Sequence, residues 1–122
     1  MKVLKYWVVA IMLIQTVLFA GSVSNPTPIV NGTPMSFSTD DSTSWYTFTM
    51  NSSGNILISG TNDADSYSST RYSIYDENLK YITSRYLTTA SIALSRGKHY
   101  VNISSSYDGT FSIYSNQLVP PT

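Results

Sequence analysis

The 122-residue chain has no cysteine and a single histidine, His99. The missing cysteine excludes a disulfide framework, a thiol nucleophile and any cysteine-ligated metal. One histidine leaves little room for catalysis. A serine hydrolase would need His99 beside an activated serine and an orienting carboxylate, and no Gly-x-Ser-x-Gly elbow occurs. His99 is therefore expected on a strand face as an ordinary polar residue, and the chain is not expected to be an enzyme. Charge is also scarce, at 11% of residues, with a formal balance of zero. Phosphate backbones demand clustered lysine and arginine, so a nucleic-acid partner is not expected. Convincing helical periodicity is missing too.

What the chain does have begins with its first residues. Lys2 and Lys5 form a positive start, and Tyr6 to Phe19 is apolar apart from Gln15 and Thr16. Small residues follow at Ala20, Gly21 and Ser22. This is the layout of a signal peptide helix over residues 1–24, cleaved between Gly21 and Asn25. The apolar run is shorter than the ~20 residues a spanning helix needs, so no membrane span is expected after cleavage. Ser22 stands where a bacterial lipid anchor would need cysteine. The expected location is secreted or periplasmic. Beyond the leader remain Arg71, Lys80, Arg85, Arg96 and Lys98 against Asp40, Asp41, Asp63, Asp65, Asp76, Glu77 and Asp108. About a hundred residues then make one slightly acidic domain.

Residues 25–34 read as a linker, because Asn25-Pro26-Thr27-Pro28 cannot hold helix and Asn31-Gly32 signals a turn. Alternating or β-rich runs follow at residues 35–37, 45–50, 56–58, 72–75, 81–86, 91–94, 99–103 and 110–114. Between them lie turns at Asp40-Asp41-Ser42, Asn51-Ser52-Ser53-Gly54 and Asp76-Glu77-Asn78, with Asn78 suited to the left-handed conformation. Gly60 to Thr70 is expected as the longest loop, and residues 117–122 as a tail. Eight short strands without crossover helices must pair largely antiparallel. The fold class is therefore all-β, a two-sheet antiparallel jelly-roll-like sandwich over residues 35–116. Alternation places Tyr46, Phe48, Met50, Ile56, Ile58, Ala90, Ile92, Leu94, Val101, Ile103, Phe111 and Ile113 inside. Trp45, Thr47, Thr49 and Tyr100 then face outward.

The order of these runs carries a resemblance. Asp40 and Asp41 precede Tyr46-Thr47-Phe48-Thr49-Met50, and Gly54-Asn55-Ile56-Leu57-Ile58 and Ile74-Tyr75-Asp76 come next. Gly97-Lys98-His99-Tyr100-Val101-Asn102-Ile103 and Gly109-Thr110-Phe111-Ser112-Ile113 close the series. Together they resemble the bacterial pre-peptidase C-terminal domain family, small secreted β-sandwiches usually appended to exported peptidases. The resemblance implies a sandwich and an exported address. It departs in two respects: no peptidase is present in this chain, and the linker lacks the acidic residues with which collagen-binding relatives hold calcium.

Two groups of residues are candidates for binding. Calcium takes several oxygen ligands, and Asn62, Asp63, Asp65 and Ser66 put them on one loop, with Asp40 and Asp41 able to reach in. The pattern is not an EF-hand, and apart from this possible calcium no cofactor is expected. The aromatic residues form the second group. Trp45, Tyr75, Tyr81 and Tyr86, with Tyr67, Tyr107 and Tyr114, exceed what one small core absorbs, and exposed aromatic faces bind sugars and peptides. Asn31, Asn51 and Asn102 begin glycosylation acceptor patterns, which matter only in a source that glycosylates exported proteins. The expected function is an exported, non-catalytic module that binds an extracellular or periplasmic protein or polysaccharide, or assists an exported partner. The alternative is a self-associating surface or filament subunit that uses exposed strand edges.

Overall fold

The computed structural model describes residues 21–40 and 44–121, so the expected leader up to residue 20 lies outside it, as does Asp41. Nine strands are formed among the described residues: β1 (Thr27–Pro28), β2 (Met35–Phe37), β3 (Trp45–Met50), β4 (Gly54–Asn62), β5 (Thr70–Asp76), β6 (Tyr81–Tyr86), β7 (Ala90–Leu94), β8 (Gly97–Ser105) and β9 (Gly109–Tyr114). They make a five-stranded sheet in the order β1-β3-β8-β5-β6 and a four-stranded sheet in the order β2-β9-β4-β7. The chain crosses between sheets at most of its connections, as in a jelly roll. No helix among the described residues is long and apolar enough to cross a membrane, which says nothing about a β-barrel.

Period-two alternation builds the core. On β3, Tyr46, Phe48 and Met50 are buried; on β8, Val101 and Ile103 join them from the same sheet. Ile56 and Ile58 of β4, Ile92 and Leu94 of β7, and Phe111 and Ile113 of β9 face them from the other sheet. Tyr46 meets Phe111 edge-on, with ring centroids 4.7 Å apart, which ties the two sheets together. The Tyr46 hydroxyl donates to the Ser36 carbonyl, and burial pushes its acidity well below that of an ordinary tyrosine. Of the expected core residues only Ala90 is not fully inside; it packs against the cluster from the start of β7.

Four local expectations are corrected. Residues 25–34 are not a free linker: Thr27 and Pro28 pair with Tyr46 and Thr47, and Ile29 is buried. That pairing is parallel, whereas the others are antiparallel. Within the expected tail of residues 117–122, residues 117–121 are described and do not hang free, because Leu118 is buried and the Val119 amide donates to the Thr49 carbonyl. Proline-bearing segments lack the alternation of a strand, so these edge contacts leave no periodic signal. The long loop is shorter than expected, since β4 runs through Asn62 and β5 starts at Thr70. In the β5–β6 turn the left-handed residue is Leu79 (φ 61°), not Asn78. There the Asp76 carboxylate accepts the Asn78 and Lys80 amides, which fixes the turn and pushes the positive φ onward by one residue.

Candidate functional site

The outer face of the five-stranded sheet gathers what the strands turn away from the core. Register sets it out in rows. Thr47 of β3 lies opposite Tyr100 of β8, Tyr100 opposite Tyr75 of β5, and Tyr75 opposite Tyr81 of β6. The next row runs Trp45, Asn102, Ser73 and Ser84. Beyond it, Ser104, Arg71 and Tyr86 make the last. Three tyrosines from adjacent strands thus stand side by side, with Trp45 diagonal to them.

Ring contacts join them. Trp45 and Tyr75 have centroids 5.4 Å apart, and Tyr75 and Tyr81 are edge-to-face at 6.2 Å. Cations bracket the face: the Lys98 ammonium lies 5.2 Å from the Tyr100 ring, and the Arg71 guanidinium 4.7 Å from that of Tyr86. Tyr86 is also met edge-on by Tyr67 at 5.9 Å. Between the two aromatic ends the row is hydroxyl-rich. The Ser73 hydroxyl donates to Ser84 Oγ, whose own hydroxyl donates to the Tyr72 carbonyl, while Arg71 Nε donates to Ser84 Oγ. The result is an aromatic patch beside a hydroxyl-rich row, with a cation near each end, suited to stacking on a ligand that presents flat or apolar faces and hydrogen-bonding groups.

All four aromatic candidates lie on this face, but not at one point. Trp45, Tyr75 and Tyr81 are contiguous; Tyr86 sits at the opposite end with Arg71. Tyr100 was missed as a candidate. Its outward position was legible from alternation with Val101, and only the register with Tyr75 shows that it completes the row.

The described calcium candidates, Asp40, Asn62, Asp63 and Asp65, lie at one end of the sandwich, after β2 and at the end of β4. The Asp63 amide donates to the Asp108 carbonyl, holding the β4 end beside the start of β9. Asn62 is buried and its side chain is committed: Nδ2 donates to the Ser66 carbonyl and Thr70 Oγ1, and Oδ1 accepts the Ala64 and Ser66 amides. It is the post around which the loop turns. Asp65 Oδ1 accepts from Thr61, and the backbone carbonyl of Asp40 accepts from Ser44. Among the described residues no three acidic or histidine side chains converge as a metal site would require. A substitution separates the two roles of Asn62. Asn62→Asp keeps a calcium ligand but loses both donated hydrogen bonds, so the post predicts a loss of about 2 kcal/mol in thermal melts, the same with calcium or with chelator. A loss that added calcium reverses would assign Asn62 to an ion.

His99 lies on a strand face as expected, but on the inner one, buried in alternation with Val101 and Ile103. Its ring stacks on Phe48 at 5.4 Å and 17°, and Nδ1–H donates to the Gly97 carbonyl. That bond fixes the tautomer, because a carbonyl can only accept. Burial lowers the His99 pKa below its usual value, opposed by the Gly97 carbonyl and by the Asp76 and Glu77 carboxylates. The folded state therefore takes up the proton less readily than the unfolded chain. Stability is full above about pH 6.5 and falls as pH drops from there through the lower folded value. Thermal melts between pH 7.5 and pH 5 should show this fall, and His99→Phe, which keeps the stacking on Phe48, should flatten it. An equal slope in the variant would place the acid sensitivity elsewhere.

No family model matches the chain, and no curated protein matches it by sequence. Among solved structures it is similar to the pre-peptidase C-terminal domain of a collagenase from Bacillus anthracis. The match covers 71% of this chain and 90% of that one, with a TM-score of 0.54 and 22% identity. The two share a fold. The expected two-sheet sandwich is thus found in the chain's own strands and matches the fold of a solved structure.

Proposed function

We propose that the protein is an exported, non-catalytic binding module of the pre-peptidase C-terminal type, and that the outer aromatic face of its five-stranded sheet is the ligand-contacting surface. The single observation behind this reading is the row Tyr100, Tyr75 and Tyr81 with Trp45 set against it, four aromatics from four adjacent strands on one face. A core has no use for them there. Contacts between the rings of Trp45, Tyr75 and Tyr81 restrain them before a ligand docks, so less side-chain freedom is lost on binding. The ligand class that fits is an extended polymer, either a polysaccharide stacking its sugar faces on the rings or a fibrous protein laid across them. A solved structure of this fold belongs to a collagenase, which puts collagen among the fibres to try.

Binding is tested by depletion from solution with insoluble probes: chitin, cellulose, peptidoglycan sacculi and fibrillar collagen. At least one should retain the protein, and Tyr81→Ala should weaken retention roughly tenfold or more, as loss of an aromatic anchor typically costs 1–3 kcal/mol. Tyr114→Ala, an exposed tyrosine of the other sheet, should change nothing. Equal weakening by the two substitutions would remove the aromatic face from the account.

A further inference from the structure

At the end of the sandwich opposite Asn62, a cleft of about 380 Å³ opens between the β5–β6 turn and the β7–β8 turn. Its apolar lining includes Leu94 of β7 and Ile82, which the β6 bulge leaves without a partner on β5. Asp76, the last residue of β5, and Glu77 after it bring two carboxylates. His99 lines the cleft from β8; it is 3% exposed and directly opposite Asp76 in the sheet. Asp76 follows Tyr72 and Ile74 in the alternation of β5, so its side chain shares the inner face with His99. Opposed side chains of this kind have Cβ atoms about 4.5–5.5 Å apart.

His99 adds a buried acceptor to the two acids. Its Nδ1–H is spent on the Gly97 carbonyl, which leaves Nε2 as a bare lone pair. Nε2 has no partner among the described residues. It is not sealed off either, because among those residues only the Tyr72 hydroxyl is both fully enclosed and unpartnered. The cleft is where Nε2 opens. Asp76 gives Oδ1 to the Asn78 and Lys80 amides and keeps Oδ2 free. Glu77 forms no hydrogen bond or salt bridge among the described residues.

From this set we infer that the cleft takes the side chain of a lysine on a protein partner. The ammonium would donate to His99 Nε2 and to the Asp76 and Glu77 carboxylates, with its methylene stem lying on Ile82 and Leu94. An ammonium has three donors and no acceptor, which matches a site of acceptors. A metal ion does not fit, because no three acidic or histidine side chains among the described residues converge closely enough. An ammonium reaches its acceptors at about 2.7–3.2 Å, against about 2.0–2.2 Å for a zinc ligand, so it bridges a wider spacing. Burial lowers the His99 pKa, so at neutral pH the ring is uncharged and Nε2 accepts. Two cations also border the cleft. Lys98 turns its ammonium away to the outer Tyr100 ring, 5.2 Å off, and Arg96 is exposed in the β7–β8 turn. The cleft is larger than a four-carbon ammonium needs, which leaves room for the backbone that carries it. This inference goes beyond the polymer-binding reading and does not depend on it.

His99 is the only histidine of the chain, so its imidazole proton signals in NMR identify themselves. The probe is a capped peptide with one lysine between two pairs of glycines, titrated at pH 7.5. The controls are the same peptide with acetyl-lysine or norleucine, and free butylamine. The lysine peptide should move the His99 signals saturably, with a midpoint below about 10 mM, and the two altered peptides should not. Glu77→Gln should raise the midpoint about threefold, and Arg96→Gln should lower it; both residues are exposed, so the fold is kept. No saturable shift, an equal shift with the acetyl-lysine peptide, or the opposite signs in the two variants would overturn the lysine site, whatever the polymer assays show. Butylamine binding as tightly as the lysine peptide would overturn the protein partner.

Discussion

Phe48→Ala should cost about 3–5 kcal/mol of stability, the usual range for removing a buried phenylalanine. Phe48 is 4% exposed on β3, with His99 stacked on its ring, so its loss opens a cavity and leaves the imidazole without its cover. For a domain of this size each kcal/mol is worth about 4–8 °C in melting temperature, so the variant's midpoint should fall by roughly 12–40 °C. The neighbouring Thr47→Ala is the internal comparison. For a fully exposed, unpartnered threonine such a change costs within about 0.5 kcal/mol. The structure raises this to about 1 kcal/mol, because Thr47 is half-buried and its hydroxyl donates to the His99 carbonyl. Denaturant melts of the pair test the inward and outward assignment of β3. Equal losses would count against it, and a larger loss at Thr47 would mean that the register is reversed.

Gly109→Ala should be nearly as damaging, at about 3 kcal/mol, the upper end of the range for overpacking. Gly109 opens β9 between β2 and β4, opposite both Phe37 and Asn62. A Cβ there would come within 2.3 Å of the Thr61 carbonyl oxygen and 2.7 Å of Asn62 Cα. Those atoms are backbone in a central strand pairing and cannot step aside. Gly97 gives the contrast. A Cβ there touches nothing, but its φ of 120° is one that side-chain-bearing residues rarely adopt, so Gly97→Ala should cost about 1–3 kcal/mol through strain alone. Thermal melts of both variants should show the larger drop at Gly109. A mild Gly109→Ala would mean that β2, β9 and β4 do not pack as closely as described.

Much of this fold is written in alternation. Tyr46-Thr47-Phe48-Thr49-Met50 announces both its faces, and the same reading orients Tyr100 away from Val101. It also orients His99 inward with Val101, where an ordinary polar side chain would go unsatisfied. Phe48 explains the difference, because a neutral imidazole can stack in a core when a carbonyl takes its one N–H. Where alternation stops, legibility stops. Ile29 and Leu118 are core residues in segments whose prolines and turns hide their pairing. Asn62 looked like an oxygen ligand because a lone asparagine before two aspartates says nothing about which groups it holds. For the site, the sequence showed that aromatics were in surplus and which way several of them pointed. That Tyr100, Tyr75 and Tyr81 fall in one row depends on which strands are neighbours and in what register, and no single strand encodes that.

One buried polar atom remains unexplained by packing. Tyr72 is fully buried, and its hydroxyl has no hydrogen-bond partner among the described residues.

Trp45 supplies the most direct test of the aromatic face. Trp7→Phe leaves Trp45 as the sole tryptophan, half-buried on that face. Its emission can then be followed while the protein is titrated with soluble fragments of whichever polymer retains it. Stacking of a ligand on Trp45 and Tyr75 predicts a blue-shifted emission and shielding from iodide quenching, both saturating with the bound fraction. Retention of the protein by the polymer with Trp45 emission and quenching unchanged would contradict the account and place the binding surface elsewhere on the sandwich.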